Sequence, residues 1–299
     1  MNGPGTPSLD QIQVFLTVVE TGSFAAAGRR LRRATSAISY AVANLELQLG
    51  ILLFDREQTR KPTLTEAGIA VLSEARTLSV GVDNLRAKVR GLIEGLEAEV
   101  TLVVDVMLPT ARLVDAMQAF EAKFPTVPLR LHVEALGATT QLVDMSVAKI
   151  GVSGGPIQLA VPGIERIQIG SVELIPVAAP SHLLAISKRN APGDARNHVQ
   201  LVLTDRSTLT KGRDFGVVAV KTWRLADLGA KHALLRAGVG WGNMPEPMVR
   251  DDLKAGRLVR LNLPDWRGGP YALYAIHRTD SPPGPAASWM IQRFLSQVS

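Results

Sequence analysis

The sequence predicts two kinds of fold in one chain: an all-α N-terminal module with a two-stranded appendage, joined through one long helix to an α/β region. Three observations predict it. Apolar residues recur at helical spacing in three short runs before residue 50. A proline-free helical pattern then extends from about 66 to 96. From residue 100 onward, short apolar or alternating runs take turns with helical patterns, as βαβ units require. At 299 residues and 46% apolar, the chain has material for about two domains with sizeable cores.

Leu9, Ile12, Leu16 and Val19 give a first helix that stops at Thr21-Gly22. Ser23 stands where an N-cap belongs, ahead of a short helix with Phe24, Ala27 and Leu31 inward. A third helix starts near Thr35 or Ser36, turns Ile38, Val42, Leu45 and Leu49 inward, and is closed by Gly50. Three short helices with a tight turn between the second and third describe a helix-turn-helix. Phe54-Asp55-Arg56 and the stretch 62–65 flank a polar loop, 57–61, and two short strands there would make a wing.

Thr65 is a good N-cap for the long helix. Its apolar residues Leu72, Ala75, Leu78, Val82, Leu85, Val89 and Leu92 recur close to a heptad seam. So narrow a stripe suits pairing with a second copy; the other reading is a helix packed on its own domain. Beyond it, 100–106 reads as a buried strand, and Leu113, Met117, Phe120 and Phe124 as a helix that Pro125 stops. Alternation from Val127 to Val133 gives a strand, 139–147 a short helix and 150–152 a third strand. A second set follows: strands at 172–178, 200–203 and 217–220, helices at 225–237 and 247–255, strands at 258–261 and 271–276, and a last helix at 288–298.

The segments FLTVVETGSFAAAGRRL, AISYAVANLELQLGILLFDR and LTEAG resemble the DNA-binding region of LysR-type transcriptional regulators, with Phe15, Gly22, Ser23, Phe24, Ala27, Glu46, Gly50, Arg56 and Gly68 at matching spacing. FEAKFPTVPLRLHV, VAAPSHLL, AGVGWGNMPEPMVRDDLKAGRLVRL and PYALYAIH extend the resemblance over nearly the whole chain. It implies a winged helix-turn-helix at 8–65, a linker and dimerisation helix at 66–97 and a periplasmic-binding-protein-like effector domain at 98–299. That domain divides into subdomain I, 98–168 with 267–299, and subdomain II, 169–266, with chain crossings near 167–170 and 264–271. The implied function is a sequence-specific DNA-binding regulator that answers to a small molecule held between the two subdomains. The alternative is an architectural DNA binder that keeps the effector fold without a ligand. Implied partners are double-stranded DNA, RNA polymerase, a small anionic or aromatic effector, and further copies of the chain as a homodimer or tetramer.

In a helix-turn-helix the second helix of the pair enters the major groove, and its N-terminal residues meet base edges. That assigns Thr35, Ser36, Ser39 and Tyr40 to base contact, since hydroxyls match donor or acceptor edges and the Thr35 methyl suits thymine; Tyr40 could instead pack under the wing. Ser23 suits a phosphate at its helix start, and Arg56 and Arg60 a phosphate or a narrow minor groove. In the run Arg29-Arg30-Leu31-Arg32-Arg33, one or two arginines, Arg32 and Arg33 foremost, are assigned to phosphate and the rest to solvent. The chain departs from the family where Ala34-Thr35-Ser36 replaces the common Ser-Gln-Pro, Tyr40-Ala41 replaces Arg-Gln and Gly28 an alanine, so no member's base preference carries over. Lys149 stands where an aspartate is common.

Ligands of open α/β sheets bind beyond the carboxyl ends of the strands. The candidates there are Met107, Thr110, Leu136, Ser153, Asp205 and Trp241. Thr110 opens a helix whose N–H groups suit a carboxylate, and Trp241 either stacks on the effector or packs at the hinge. Leu72, Leu78, Val82, Leu85, Val89 and Leu92 are the dimerisation candidates.

Net charge is +6, yet residues 1–100 hold 11 basic and 11 acidic side chains, so the surplus lies wholly in the α/β region. Cysteine is absent, which excludes disulfides, thiol nucleophiles and, in this family, a thiol-based peroxide sensor. The five histidines show no metal spacing, so neither metal nor cofactor is expected. Gly151-Val152-Ser153-Gly154-Gly155 spells a nucleophile elbow, but the elbow needs a helix at once and Pro156 opposes it. Asp214-Phe215-Gly216 lacks the other kinase motifs. The expectation is no enzyme. The N-terminus lacks a secretory pattern and no apolar run approaches 18 residues, so a cytoplasmic protein away from membranes is expected.

Overall fold

A computed structural model describes residues 5–55, 62–155, 161–187, 189–213 and 215–297. Arg56, Arg60, the wing loop 57–61, Pro156 and Asp214 lie outside the described residues. The chain forms two compact units, Met1–Arg90 and Gly91–Ser299. Among the described residues no helix is long and apolar enough to cross a membrane.

In the first unit, Ser8 and Gln11 form a reciprocal capping box that starts α1, Leu9–Thr21. Gly22 ends it in the left-handed region at φ 69°. Ser23 accepts from the Ala26 amide to start α2, Phe24–Leu31, and α3 follows as Thr35–Leu49. β1, Phe54–Asp55, pairs antiparallel with β2, Thr63–Leu64. The Thr65 hydroxyl accepts from the Gly68 amide at the head of α4, Glu66–Ile93. Phe15, Val18, Ala27, Ile38, Leu45 and Leu53 make the core these elements share.

The second unit begins β3 (Val100–Asp105), α5 (Thr110–Lys123), β4 (Leu129–Glu134), α6 (Gly137–Asp144) and β5 (Ile150–Gly154). The long β6 (Ile164–Ala178) and the short α7 (Leu183–Ile186) follow. Next come β7 (Gln200–Leu203), β8 (Thr222–Leu225), α8 (Leu228–Arg236), β9 (Trp241–Pro245), α9 (Glu246–Lys254) and β10 (Val259–Arg260). β11 (Gly269–Arg278) and α10 (Pro285–Ser296) close the fold. One sheet runs β4-β3-β5-β11-β6-β9-β7-β8, with β10 also on β6. Parallel pairs lie at both ends. In the middle β6 and β11 run antiparallel to each other, β11 bonding β5 and β6 bonding β9. Their register slips between Leu273 and Tyr274, leaving Ile169 as the extra residue between Gln168 and Gly170. The Arg112 guanidinium donates to the Ile169 carbonyl at 2.9 Å.

The predicted strand at 217–220 does not form, and Thr222–Leu225 pairs with β7 instead. The amides of Val218 and Ala219 donate to the Gln200 side-chain carbonyl at 2.9 and 3.0 Å, and that of Val220 to the Arg196 carbonyl. A side chain has taken the donors that a ladder would use. The helix predicted from 225 starts at Leu228, because Asp227 caps it.

Candidate functional site

Thr35, Ser36, Ser39 and Tyr40 lie at and one turn beyond the start of α3, all exposed, while Ile38 and Val42 are buried. Tyr40 is 69% exposed. The arginine cluster divides. Arg33 donates twice to Asp10 at 2.8 Å, which holds that carboxyl below its usual range. Arg30 pairs with Glu20 at 2.9 Å. Arg32 is exposed and sits at the end of α2 at φ 56°, with Arg29 also exposed. Ser23 spends its side chain on the α2 cap.

Two residues without an assigned role turn out to hold the wing to α3 and α4. The buried Glu46 carboxylate accepts from the amides of Leu53 and Phe54 at 2.8 and 3.1 Å. A Cβ on Gly68 would lie 2.1 Å from the Leu53 carbonyl oxygen, so α4 lies directly on that backbone. The visible signal for Glu46 was its place beside Leu45 and Val42 in a helix only fifteen residues long.

In the second unit, a cavity of about 130 Å³ opens beside β7 and β9. These strands pair at one position only, Gln200 with Trp241. Met107 and Leu136, from the loops after β3 and β4, line it together with Gln200, Leu203, Phe215, Lys231, Asn243, Trp266 and Tyr271. Of the six candidates, then, two reach it. Asp205 lines a larger adjoining hollow of about 670 Å³ and accepts from Ser207 at 2.6 Å and from Thr210. Ser153 is buried within β5, 3.0 Å from the Thr140 hydroxyl, and presents no exposed nucleophile. Thr110 is exposed at the head of α5 and does not line the cavity. Trp241 does not stack there either. It is fully buried among Ala178, Leu184, Ala195, Leu261 and Leu263, its indole N–H donating to the Ala195 carbonyl. Trp241 and Asn243 are two apart on β9 and share a face, along which the tryptophan packs into this cluster while Asn243 lines the cavity.

Sequence reasoning missed the cavity's polar residues. Lys231 shares the inward stripe of α8 with Leu228 and Leu235 at i, i+3 and i+7, so a charge on a buried face was the signal. It is 3% exposed, and burial pulls its ammonium down to about 8. Among the described residues its one hydrogen bond runs to the Asn243 carbonyl at 2.7 Å. Asp105, at the end of β3, gathers the loops that follow the strands. It accepts from the amides of Met107 at 2.8 Å and Leu136 at 3.2 Å and from the Tyr271 hydroxyl at 2.9 Å. Burial pushes its carboxyl up to about 6, outweighing these bonds and one from the Gly154 amide. The Asp105 contact keeps Leu136 at φ 52°, a strained conformation at the cavity wall.

Two family models match the chain: bacterial regulatory helix-turn-helix protein, lysR family, over residues 9–69, and LysR substrate binding domain over residues 94–299. The chain is 28% identical over 269 residues to the HTH-type transcriptional activator AllS of Salmonella paratyphi A, spanning 86% of this chain and 84% of that protein. It is 27% identical over 291 residues to the probable HTH-type transcriptional regulator YhaJ of Escherichia coli K12, 95% of each. The full-length Vibrio cholerae virulence activator AphB has a similar fold, with a TM-score of 0.52, 22% identity, and 98% of this chain and 100% of that one covered.

Proposed function

Because the chain belongs to the LysR family of bacterial transcriptional regulators, we propose that it reads operator half-sites with the start of α3 and couples that reading to a small molecule held in the cavity of the second unit. Membership makes it a DNA-binding regulator with an effector-binding domain, and not an enzyme. The cavity carries the finer reading, because its walls come from two halves of the sheet: Met107 and Leu136 on one side, Gln200, Lys231 and Asn243 on the other. The halves are assigned as 98–168 with 267–299, and 169–266, with β6 and β11 as the strands that cross between them. A ligand that binds one arrangement of the halves better than another shifts the population toward it, and by linkage it alters DNA affinity by the factor by which DNA alters ligand affinity.

Ser39 and Tyr40 are assigned to bases, with Thr35 and Ser36 beside them, and Arg32, Ser23, Arg56 and Arg60 to phosphate. Arg33 joins them only by giving up Asp10. Replacing Ser39 or Tyr40 by alanine is expected to weaken specific binding by about 1–3 kcal/mol while non-specific binding persists. A gel shift on DNA upstream of the protein's own gene, titrated with random competitor, measures both. Equal loss on the two DNAs would remove these residues as base readers.

The long helix supports a dimer. Leu78, Val82, Leu85, Val89 and Leu92 keep a 4-3-4-3 rhythm, and Leu85 is 62% exposed. Leu72 is corrected: it packs on the core of its own unit. Leu85→Asp should weaken self-association on the order of 100-fold, since an unpaired charge would be buried. Sedimentation equilibrium reads this, and an unchanged dimer would place the interface elsewhere. Two dimers as a tetramer, acting on RNA polymerase at a promoter, complete the proposal.

A further inference from the structure

A lysine buried without an acid is costly, and a single carbonyl bond does not repay the loss of hydration. A methionine of similar length would fill the same stripe of α8 at no such cost. The fold nonetheless makes room for this side chain: a Cβ on Gly242, in the middle of β9, would come within 3.2 Å of the Lys231 Cε. One N–H of the ammonium goes to the Asn243 carbonyl, and among the described residues the other two have no partner. Leu136, Leu203, Phe215 and Trp266 supply apolar wall around it. Asn243 also lines the cavity; its side-chain oxygen accepts from the Trp266 indole at 2.7 Å, leaving its amide N–H₂ as a further donor. Asp105 cannot serve as the missing anion, because its oxygens are committed to Met107, Leu136 and Tyr271.

We propose that Lys231 is the anchor for the effector's charge, and that the effector is a small monocarboxylate with an apolar body, its carboxylate on the Lys231 ammonium and its body against Phe215 and Leu136. This rests on the effector-sensing reading above. One cation in the inner cavity matches one negative charge; a dianionic phosphate would leave a charge unpaired in apolar surroundings. Arg206, Lys211 and Arg213 line the adjoining hollow, where they raise the local concentration of anions. An ion pair formed here is shielded from water, so the ligand neutralises a charge that the unliganded fold carries unpaired. That gives the ligand a differential affinity for the arrangement in which Met107 and Leu136 line one cavity with the lysine.

The test uses the full chain and matched probes: benzoate with benzamide, phenylacetate with phenylacetamide, and 2-methylpropanoate with its amide. Calorimetry and thermal shift are run on wild type, Lys231→Gln, which keeps a donor for the Asn243 carbonyl, and Lys231→Met. The expected result is that at least one carboxylate binds and raises Tm, its amide does not, and both variants lose about thirtyfold or more in affinity. If an amide binds as well as its acid, or the variants keep wild-type affinity for the carboxylate, the anchor is wrong while the effector reading stands. If no member of either class binds, both fall.

Discussion

Gly68→Ala is expected to destabilise the first unit by about 3 kcal/mol or more, the upper end of what overpacking costs. The new Cβ would sit 2.1 Å from the Leu53 carbonyl oxygen, and that backbone has nowhere to go. The Leu53 amide is held by Glu46 at 2.8 Å, its carbonyl accepts from the Thr65 amide at 3.0 Å, and its side chain is fully buried. Relief must come from lifting α4 off the wing, which also strips Leu72 and Ala75 from the core. For a unit of this size the loss corresponds to a Tm drop of roughly 12–24 °C. Gly81→Ala is the control, in the same helix with nothing within 4 Å of its Cβ. There alanine should stabilise by about 1 kcal/mol through helix propensity. A Gly68→Ala protein melting with wild type would show that the close approach does not exist in solution.

Asp105 carries the second large effect, and its sign is unusual for a carboxylate. Because burial raises its folded pKa from 3.8 to about 6, the folded state holds the proton longer than the unfolded chain does. Its contribution to stability is therefore fully present below pH about 4 and is lost as pH rises through about 6. The interval is worth about 3 kcal/mol. Asp10, Asp115, Asp252 and Asp280 have lowered values and act in the opposite direction, losing stability as pH falls. The sum hides Asp105, but a comparison with Asp105→Asn isolates it. The variant is destabilised at low pH, since its amide N–H₂ must face the Met107 or the Leu136 N–H where an oxygen accepted. Between pH 4 and 7 that disadvantage should shrink by about 3 kcal/mol, because only wild type goes on to bury a charge. Chemical denaturation at four pH values measures the difference; a constant gap would mean that Asp105 is ionised throughout.

How much was legible in the sequence depends on the range of the interactions. The helices of the first unit begin and end on local chemistry, with Ser8, Ser23 and Thr65 as caps and Gly22 and Gly50 as left-handed stops. Such signals act over three or four residues and can be read without knowing the fold. The strand expected at 217–220 failed for the opposite reason. Its donors are taken by Gln200, a residue nearly twenty positions away whose side chain gave no hint of the contact.

The charge distribution follows the same division. The sequence alone places the whole +6 beyond residue 100 and leaves the DNA-binding part and its linker together neutral. The fold then decides which charges act. Arg33 and Arg30, one and two positions from Arg32 in the chain, are turned to Asp10 and Glu20 by the packing of α1 against α2. Lys231, undistinguished among 33 basic residues, becomes a buried cation facing a cavity.

By itself, then, the sequence determined the family and most of the order of the elements, though neither β9 nor the place of β8, because periodicity, caps and turn residues are local properties of the chain. Only the tertiary structure decided which residues meet at the cavity. Met107, Leu136, Lys231 and Asn243 come from four loops or elements up to 136 positions apart. Trp241 and Asn243 stand two apart on the same face of β9, and only the packing around that face sends the tryptophan into the cluster of Ala178, Leu184 and Ala195 and leaves Asn243 to line the cavity.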